Sequence, residues 1–271
     1  IFQETPDVKT FRLAATEGVA LPFTYFPGQF VPISADIEVS SVRRSYTIAS
    51  TPTQLHYCGL TIKREDMGAM SRYLNDEVKE GDLLDVMGPN GKFTFTGDES
   101  SSIVLIAGGV GITPMMGVIR YLTDLGWHHD IYLLYCCRTT SDFIFRDELE
   151  QLQQRHPNVH VFATMTRSSG TVWMGLKGRF NANLIAHLVP EITKRRIHVC
   201  GPPAMMEAML GFLEELEVPD ENVYTESFGP ATKPVQEQIK TSEELEHSAT
   251  VSFKGVSKSL PILANQTVLD V

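Results

Sequence analysis

The chain has 271 residues, 42% hydrophobic and 21% charged, without low-complexity bias, a make-up that suits a globular protein of two ordinary domains. A net charge of -10 argues against nucleic acid and anionic membranes as partners, and no apolar run approaches the ~20 residues of a membrane span. The opening IFQETPDVKTFRL lacks the features of a signal peptide, and Cys58, Cys136, Cys137 and Cys200 lack metal-site spacing, so the expectation is reduced, mostly buried thiols in a cytoplasmic protein.

Up to about Gly97 the chain reads as short strands and turns. Runs from Gln29 to Ile33, Ser45 to Ile48, Leu60 to Lys63 and Leu83 to Val86 are separated by Pro27-Gly28, Thr51-Pro52, Gly81-Asp82 and Gly88-Pro89-Asn90-Gly91. That rhythm predicts a small antiparallel barrel. One helix interrupts it over 69–79, where Met70, Leu74 and Val78 fall at i, i+4 and i+8.

From Ser102 the pattern changes to strand-then-helix. The apolar run Ile103 to Ala107 leads through a glycine turn into a helical stretch over 115–125. Ile131 to Tyr135 precedes a second helix over 145–155, Val159 to Thr164 follows, and Arg196 to Val199 precedes a helix over 204–216. Apolar strands alternating with amphipathic helices predict a parallel sheet covered on both faces. Met205, Met209, Phe212 and Leu216 form one stripe of the last helix, read as core packing rather than cofactor contact. Residues 230–247 are charged and proline-punctuated, which reads as a linker. Ala249 to Phe253 and Lys258 to Ile262 then pattern as a hairpin that begins a further domain.

Several short motifs carry chemistry. Gly108-Gly109-Val110-Gly111-Ile112-Thr113-Pro114 lies between a buried strand and a helix, where backbone N–H groups can receive a phosphate. It departs from G-x-G-x-x-G at Thr113, and no acidic residue ends the second strand, so a nucleotide site and a plain tight turn both stay open. Cys200-Gly201-Pro202-Pro203 is a second strand-to-helix turn, and Cys200 alone reads as a buried thiol. In the first half, Arg43-Arg44-Ser45-Tyr46-Thr47 puts Arg44 and Tyr46 on one face, as a phosphate fork beside a ring-packing tyrosine or as an ordinary strand with a solvated arginine pair. Gly68-Ala69-Met70-Ser71 opens the barrel's helix and offers free N–H groups, or is only a helix start.

In order, F-x-P-G-Q-F (26–30 with Pro27-Gly28-Gln29), R-x-Y-T (44–47), G-x-x-S (68–71), G-D…G-P-x-G-x-F (81–93), G-G-x-G-x-T-P (108–114), C-G-P-P (200–203) and E-x-F (226–228) resemble the ferredoxin–NADP reductase superfamily over roughly residues 1–229. Each motif is weak alone; the ordered set is specific. The resemblance implies a six-stranded antiparallel flavin-binding barrel over 1–98, a parallel-sheet NAD(P)-binding domain over 99–229, the linker, and over 248–271 the start of a plant-type [2Fe–2S] ferredoxin-like domain. A stray hairpin is the alternative for that last segment, since the cluster cysteines would come after Val271.

The resemblance also implies roles. Arg44 meets the flavin phosphates, Ser45 and Tyr46 lie along the flavin, Thr47 reaches toward its N5, and Ile62 and Lys63 belong to the same site. Gly68, Ala69, Met70 and Ser71 contact a pyrophosphate, which favours FAD. Gly109, Thr113, Pro114, Cys200, Gly201 and Pro202 form the nicotinamide crevice, with Cys200 near C4. Glu226 and Phe228 close it, and Thr47, Cys200 and Glu226 are the catalytic set. Catalysis would come chiefly from positioning one ring against the other. Arg138, Arg167 and Arg179 fall where NADP-using relatives hold the ribose 2′-phosphate, which favours NADPH while leaving NADH open. The leading expectation is hydride transfer from NADPH to FAD, then single electrons to a [2Fe–2S] ferredoxin domain or protein, serving an oxygenase. An NADH-dependent reductase of a separate ferredoxin, flavodoxin or haem acceptor is the near alternative, and a non-catalytic docking or sensing subunit the distant one.

Overall fold

Alternation and apolar runs decide the two halves of the chain. The computed structural model describes residues 1–228, apart from 17, 19 and 169–171, and the backbone of 247–253 and 256–262. In the first half, β1 (Phe2–Thr5), β2 (Val8–Ala14) and β5 (Tyr57–Lys63) form one antiparallel sheet in the order β1-β2-β5. β3 (Phe30–Ile37), β4 (Ser40–Thr47) and β6 (Asp85–Val86) form another, ordered β4-β3-β6, and a bridge between Ile48 and Leu60 joins the two. Val31, Ile33, Ile48, Leu60 and Ile62 fill the space between the sheets, and α1 (Ala69–Asp76) closes it with Met70 and Leu74. The helix ends three residues before the expected Lys79, and Val78 still packs on this core. The two expected strands around Ile33 and Ser45 are the arms of one long hairpin, turned at Glu38 with φ 55°.

The second half is a parallel sheet of β7 (Ile103–Gly108), β8 (Ile131–Cys137), β9 (Val159–Met165), β10 (Leu176–Lys177), β11 (Arg196–Cys200) and β12 (Val223–Glu226), in the order β10-β9-β8-β7-β11-β12. Every residue of β7 is buried, because both faces are covered. Ile103, Leu105 and Ala107 face α2 (Ile112–Asp124) and α3 (Arg146–Arg155), while Val104 and Ile106 face α4 (Ala182–Leu188) and α5 (Pro203–Glu215). In α5, Met209 is buried and Met205, Phe212 and Leu216 flank the same core. The strand order reverses between β7 and β11, which makes the C-terminal ends of those two strands the topological switch point, where open α/β sheets bind ligands.

The chain divides into compact units 1–228 and 229–271. Within the first, α2 packs hard against the barrel: a Cβ on Gly117 would lie 2.9 Å from the Ile48 carbonyl oxygen. The second contains an antiparallel hairpin of β13 (His247–Phe253) and β14 (Val256–Ile262), pairing Ala249 with Leu260 and Val251 with Lys258. The expected linker lies, up to residue 246, outside the described residues. Among the described residues no helix is long and apolar enough to cross a membrane.

Candidate active site

The two glycine turns meet at the switch point. Gly109 adopts φ 54° with open space where a side chain would stand, and its carbonyl accepts a hydrogen bond from the buried Tyr135 hydroxyl at 3.2 Å. A Cβ on Gly111 would overlap the Cys200 carbonyl, and one on Gly108 would overlap the Met205 sulfur. No larger residue at 108 or 111 lets these turns come so close. Thr113 and Pro114 are buried in the first turn of α2, where the Thr113 hydroxyl donates to the Val110 carbonyl at 3.0 Å. The expected crevice residues Gly109, Thr113, Pro114, Cys200, Gly201 and Pro202 are therefore neighbours. Met205, read from sequence as core, also reaches Gly108 and Gly201.

Beside Cys200 stands Glu226, its register partner across β11 and β12, so their side chains share one sheet face. Burial pushes the Glu226 carboxyl up to about 7, and its Oε2 has no partner among the described residues. Burial, and then the neighbouring carboxylate, push the Cys200 thiol up, which keeps it neutral. Phe228 follows with 40% of its surface exposed.

Along the remaining strand ends lie the three arginines. Arg138 follows β8, Arg167 follows β9, and the Arg167 N–H donates to the Arg138 carbonyl at 2.7 Å. Arg179 follows β10, after a turn fixed by Gly178 N–H to the Met165 carbonyl and by the Thr164 hydroxyl to the Gly178 carbonyl. All three side chains are exposed, and none forms an ion pair with a described residue.

On β4, Arg44 and Tyr46 share a face and Arg43, Ser45 and Thr47 the other. Arg44 is exposed, Tyr46 is half-buried against the barrel core, and Thr47 is buried at the strand's end. Desolvation raises the Tyr46 phenol to about 12, against the opposing influence of Arg44. Gly68 is the N-cap of α1, with Ser71 Oγ donating to its carbonyl at 3.1 Å and accepting from Glu65 N–H at 3.1 Å. That hydroxyl is engaged in the turn, so what Ala69, Met70 and Ser71 offer outward is their unpaired helix N-terminal N–H groups. Met70 and Ile62 send their side chains into the core, and Lys63 pairs with Asp7 at 3.8 Å and Glu65 at 3.5 Å. These three can serve a ligand through the backbone, or for Lys63 through one half-buried, already paired charge.

Two features gave no sequence signal. Arg120 on α2 donates to both Glu148 oxygens on α3, at 2.7 and 2.6 Å, and to the Ala49 carbonyl just past β4 at 2.6 Å. His198 is fully buried on β11, packed on Phe93 with centroids 4.5 Å apart, its only hint being a polar residue within Ile197 to Cys200.

An oxidoreductase FAD-binding domain model matches residues 2–95, and an oxidoreductase NAD-binding domain model matches residues 105–210. The glycine betaine monooxygenase reductase subunit of Chromohalobacter salexigens is 32% identical over 280 residues, covering 99% of this chain and 76% of that protein. The chain belongs to the ferredoxin–NADP reductase superfamily. Among solved structures, the FAD/NAD-binding domain of nitric oxide dioxygenase from Vibrio cholerae superposes with TM-score 0.77 at 27% identity, covering 84% of this chain and 95% of that one. Phthalate dioxygenase reductase shares the fold, with TM-score 0.69 at 24% identity, over 99% and 76% of the two chains. This superfamily member is a flavin- and nicotinamide-nucleotide-binding oxidoreductase of the oxygenase-reductase type. The strand-order reversal, the glycine-lined crevice and the unpartnered Glu226 oxygen beside it fit that chemistry.

Proposed function

We propose that the protein is a cytoplasmic reductase that takes a hydride from NADPH onto FAD and passes electrons singly to a [2Fe–2S] ferredoxin domain or protein serving an oxygenase. In this reading residues 1–98 hold FAD, 99–229 hold NADPH, 230–247 link, and 248–271 begin the iron–sulfur domain. The observation that carries the reading is the meeting of the Gly108–Gly111 and Cys200–Pro202 turns at the sheet's switch point, beside the Cys200–Glu226 pair. Support for the acceptor comes from the oxygenase reductase subunits among the relatives and from the antiparallel hairpin over 247–262.

When bound, the flavin supplies a centre that accepts two electrons together and releases them one at a time. The protein's part is to hold the reactants. The Arg44 guanidinium and the N–H groups of Ala69, Met70 and Ser71 bind the flavin's phosphates, with Gly68 letting Ser71 and Glu65 pack closely at the helix start. Ser45, Tyr46 and Thr47 run along the flavin, joined by the backbone of Ile62 and by Lys63. Gly109, Thr113, Pro114, Gly201 and Pro202 shape the nicotinamide slot. The neutral Cys200 thiol presents bulk without charge near the reacting carbon, Glu226 holds or releases a proton at its free oxygen, and Phe228 excludes water. Positioning of this kind supplies most of the rate.

NADPH is favoured over NADH because Arg138, Arg167 and Arg179 leave three guanidinium groups on adjacent strand ends without anionic partners among the described residues. Stopped-flow bleaching of the flavin by each nucleotide tests this. NADPH is expected to bind with the lower Kd, and Arg167→Ala to narrow the preference by about tenfold. Equal efficiency with both nucleotides would remove the case for the arginines, and protein that takes up no FAD would remove the proposal as a whole.

A further inference from the structure

Among the described residues, two buried side-chain atoms have no hydrogen-bond partner: Nδ1 of His198 and Oε2 of Glu226. They lie close in the fold. His198 pairs in register with Tyr224 and Cys200 with Glu226, so these four side chains form two successive rows on one face of β11 and β12. On such a face, diagonal neighbours on adjacent strands are about 7–8 Å apart at the backbone, within reach of two side chains and one water.

The two atoms are also complementary in kind. Arg196 Nε lies 3.1 Å from His198 Nε2, and an arginine N–H can only donate, so Nε2 is the acceptor and the ring proton sits on Nδ1. The Arg196 guanidinium is held in place over the Tyr224 ring, 3.6 Å from its centroid. The substituent directions of the two ring nitrogens diverge widely, so an imidazole that faces Arg196 with Nε2 turns Nδ1–H away from it. Phe93, Phe95 and Tyr224 surround the ring and keep it from protonating; desolvation, and then Arg196, lower it to about 3. What results is a permanently neutral donor without an acceptor, one row below a carboxylate oxygen without a donor. A buried polar group left so is costly, and ordered waters commonly satisfy such groups.

We propose that one ordered water joins His198 Nδ1–H to Glu226 Oε2, making His198 a positioning residue that aims the Glu226 carboxylate. Arg196 fixes the tautomer, the water carries the donor upward, and Glu226 receives it. The role in turnover rests on the reading of Glu226 as a crevice group; the water bridge does not. Among the described residues, the titratable or charged groups on this face are Cys200, His198 and Arg196 on β11, Tyr224 on β12 and, two strands away, Tyr135 and Cys137 on β8; α2 and the barrel segment add the apolar Ile112, Met115, Phe93 and Phe95.

The test is the pH titration of the Glu226 carboxyl by infrared difference spectroscopy on the purified holoprotein, its band assigned by loss in Glu226→Gln. A donor to the charged form lowers a carboxyl, so His198→Phe is expected to move the midpoint up by about one pH unit. His198→Gln should restore it, since its carbonyl can accept from Arg196 while its amide N–H serves the water. Arg196→Leu, which frees the tautomer while keeping the imidazole itself, gives an upward shift and stands in if His198→Phe does not fold. A midpoint unmoved in the folded variants, or a high-resolution crystal structure with no water within hydrogen-bonding distance of both atoms, overturns the proposal. A failure of NADPH to reduce the wild-type flavin would instead overturn the crevice reading and leave the titration to decide the water bridge.

Discussion

Replacing Arg120 by methionine should loosen the attachment of the barrel to the nucleotide-binding sheet. Its guanidinium makes two short hydrogen bonds to Glu148 and one to the Ala49 carbonyl, and lies 4.7 Å from the Phe145 ring centroid. Hydrogen bonds to charged groups contribute about 1.5–3 kcal/mol when buried. The side chains of Arg120 and Glu148 are 20% and 39% exposed, so the ion pair itself belongs nearer the ~0–1 kcal/mol of surface pairs. The Ala49 carbonyl, on a fully buried residue, loses its donor outright at about 1–2 kcal/mol. The sum, about 1–3 kcal/mol, corresponds to a fall in Tm of roughly 2–12 °C for a unit of this size. Thermal unfolding followed by circular dichroism measures it, and a double-mutant cycle with Glu148→Gln should show coupling of about 1 kcal/mol. A fall below about 2 °C, or strict additivity of the two substitutions, would refute the reasoning. Because α2 begins at the glycine turn and touches the chain just past Thr47, flavin reduction in Arg120→Met should also slow more than nicotinamide-nucleotide binding weakens.

Glu226 gives a prediction in pH. Its folded carboxyl titrates at about 7 against an ordinary 4.5, so between those values the folded state holds more protons than the unfolded one. Stability should therefore fall as pH rises through that window, and Glu226→Gln should flatten the fall by about 1–3 kcal/mol, read from urea unfolding at pH 5 and pH 8. Gly117→Ala, which ordinarily strengthens a helix by about 1 kcal/mol, should here destabilise by a similar amount, because the new methyl meets the Ile48 carbonyl at 2.9 Å. Gly211→Ala in α5, where nothing lies within 4 Å, is the matched control and should stabilise; chemical denaturation of the pair decides. Gly111→Ala should separate the two turns and weaken nucleotide binding at least tenfold by titration calorimetry, while leaving flavin content unchanged.

Legibility in the sequence followed the strength of local signals. Ile103 to Ala107 and Ile131 to Tyr135 are unbroken apolar runs, and they became the buried centre of the sheet. The β3–β4 hairpin was legible only at its ends. Its tip, Ser34 to Arg43, mixes polar residues with Ala35, Ile37 and Val42 and turns at Glu38 without glycine or asparagine, so no turn signal marks it. α4, seven residues long, is too short for a 3.6-residue period to declare itself. At the site, the glycine and Cys200 turns were readable because backbone proximity demands specific residues. Arg120 with Glu148, and His198 with Phe93, were not. Each pair is made by tertiary packing between distant segments, and nothing in the local sequence of either partner announces the other.

The strand order bears on how the molecule is assembled. β7 is the first strand of its sheet to be synthesised, yet the partner that completes the crevice, β11, emerges only after β8, β9, β10 and the helices α2, α3 and α4. Until then one long edge of the most apolar strand in the protein has no backbone partner, a state open to pairing with another chain. The barrel's own strands and α1 are all available earlier, including Arg44 and the α1 N-terminus. On a ribosome, then, the FAD-binding half of the chain has all its own strands before the nucleotide-binding sheet is complete, and α2, and through it the late-arriving β11, has those strands to settle against.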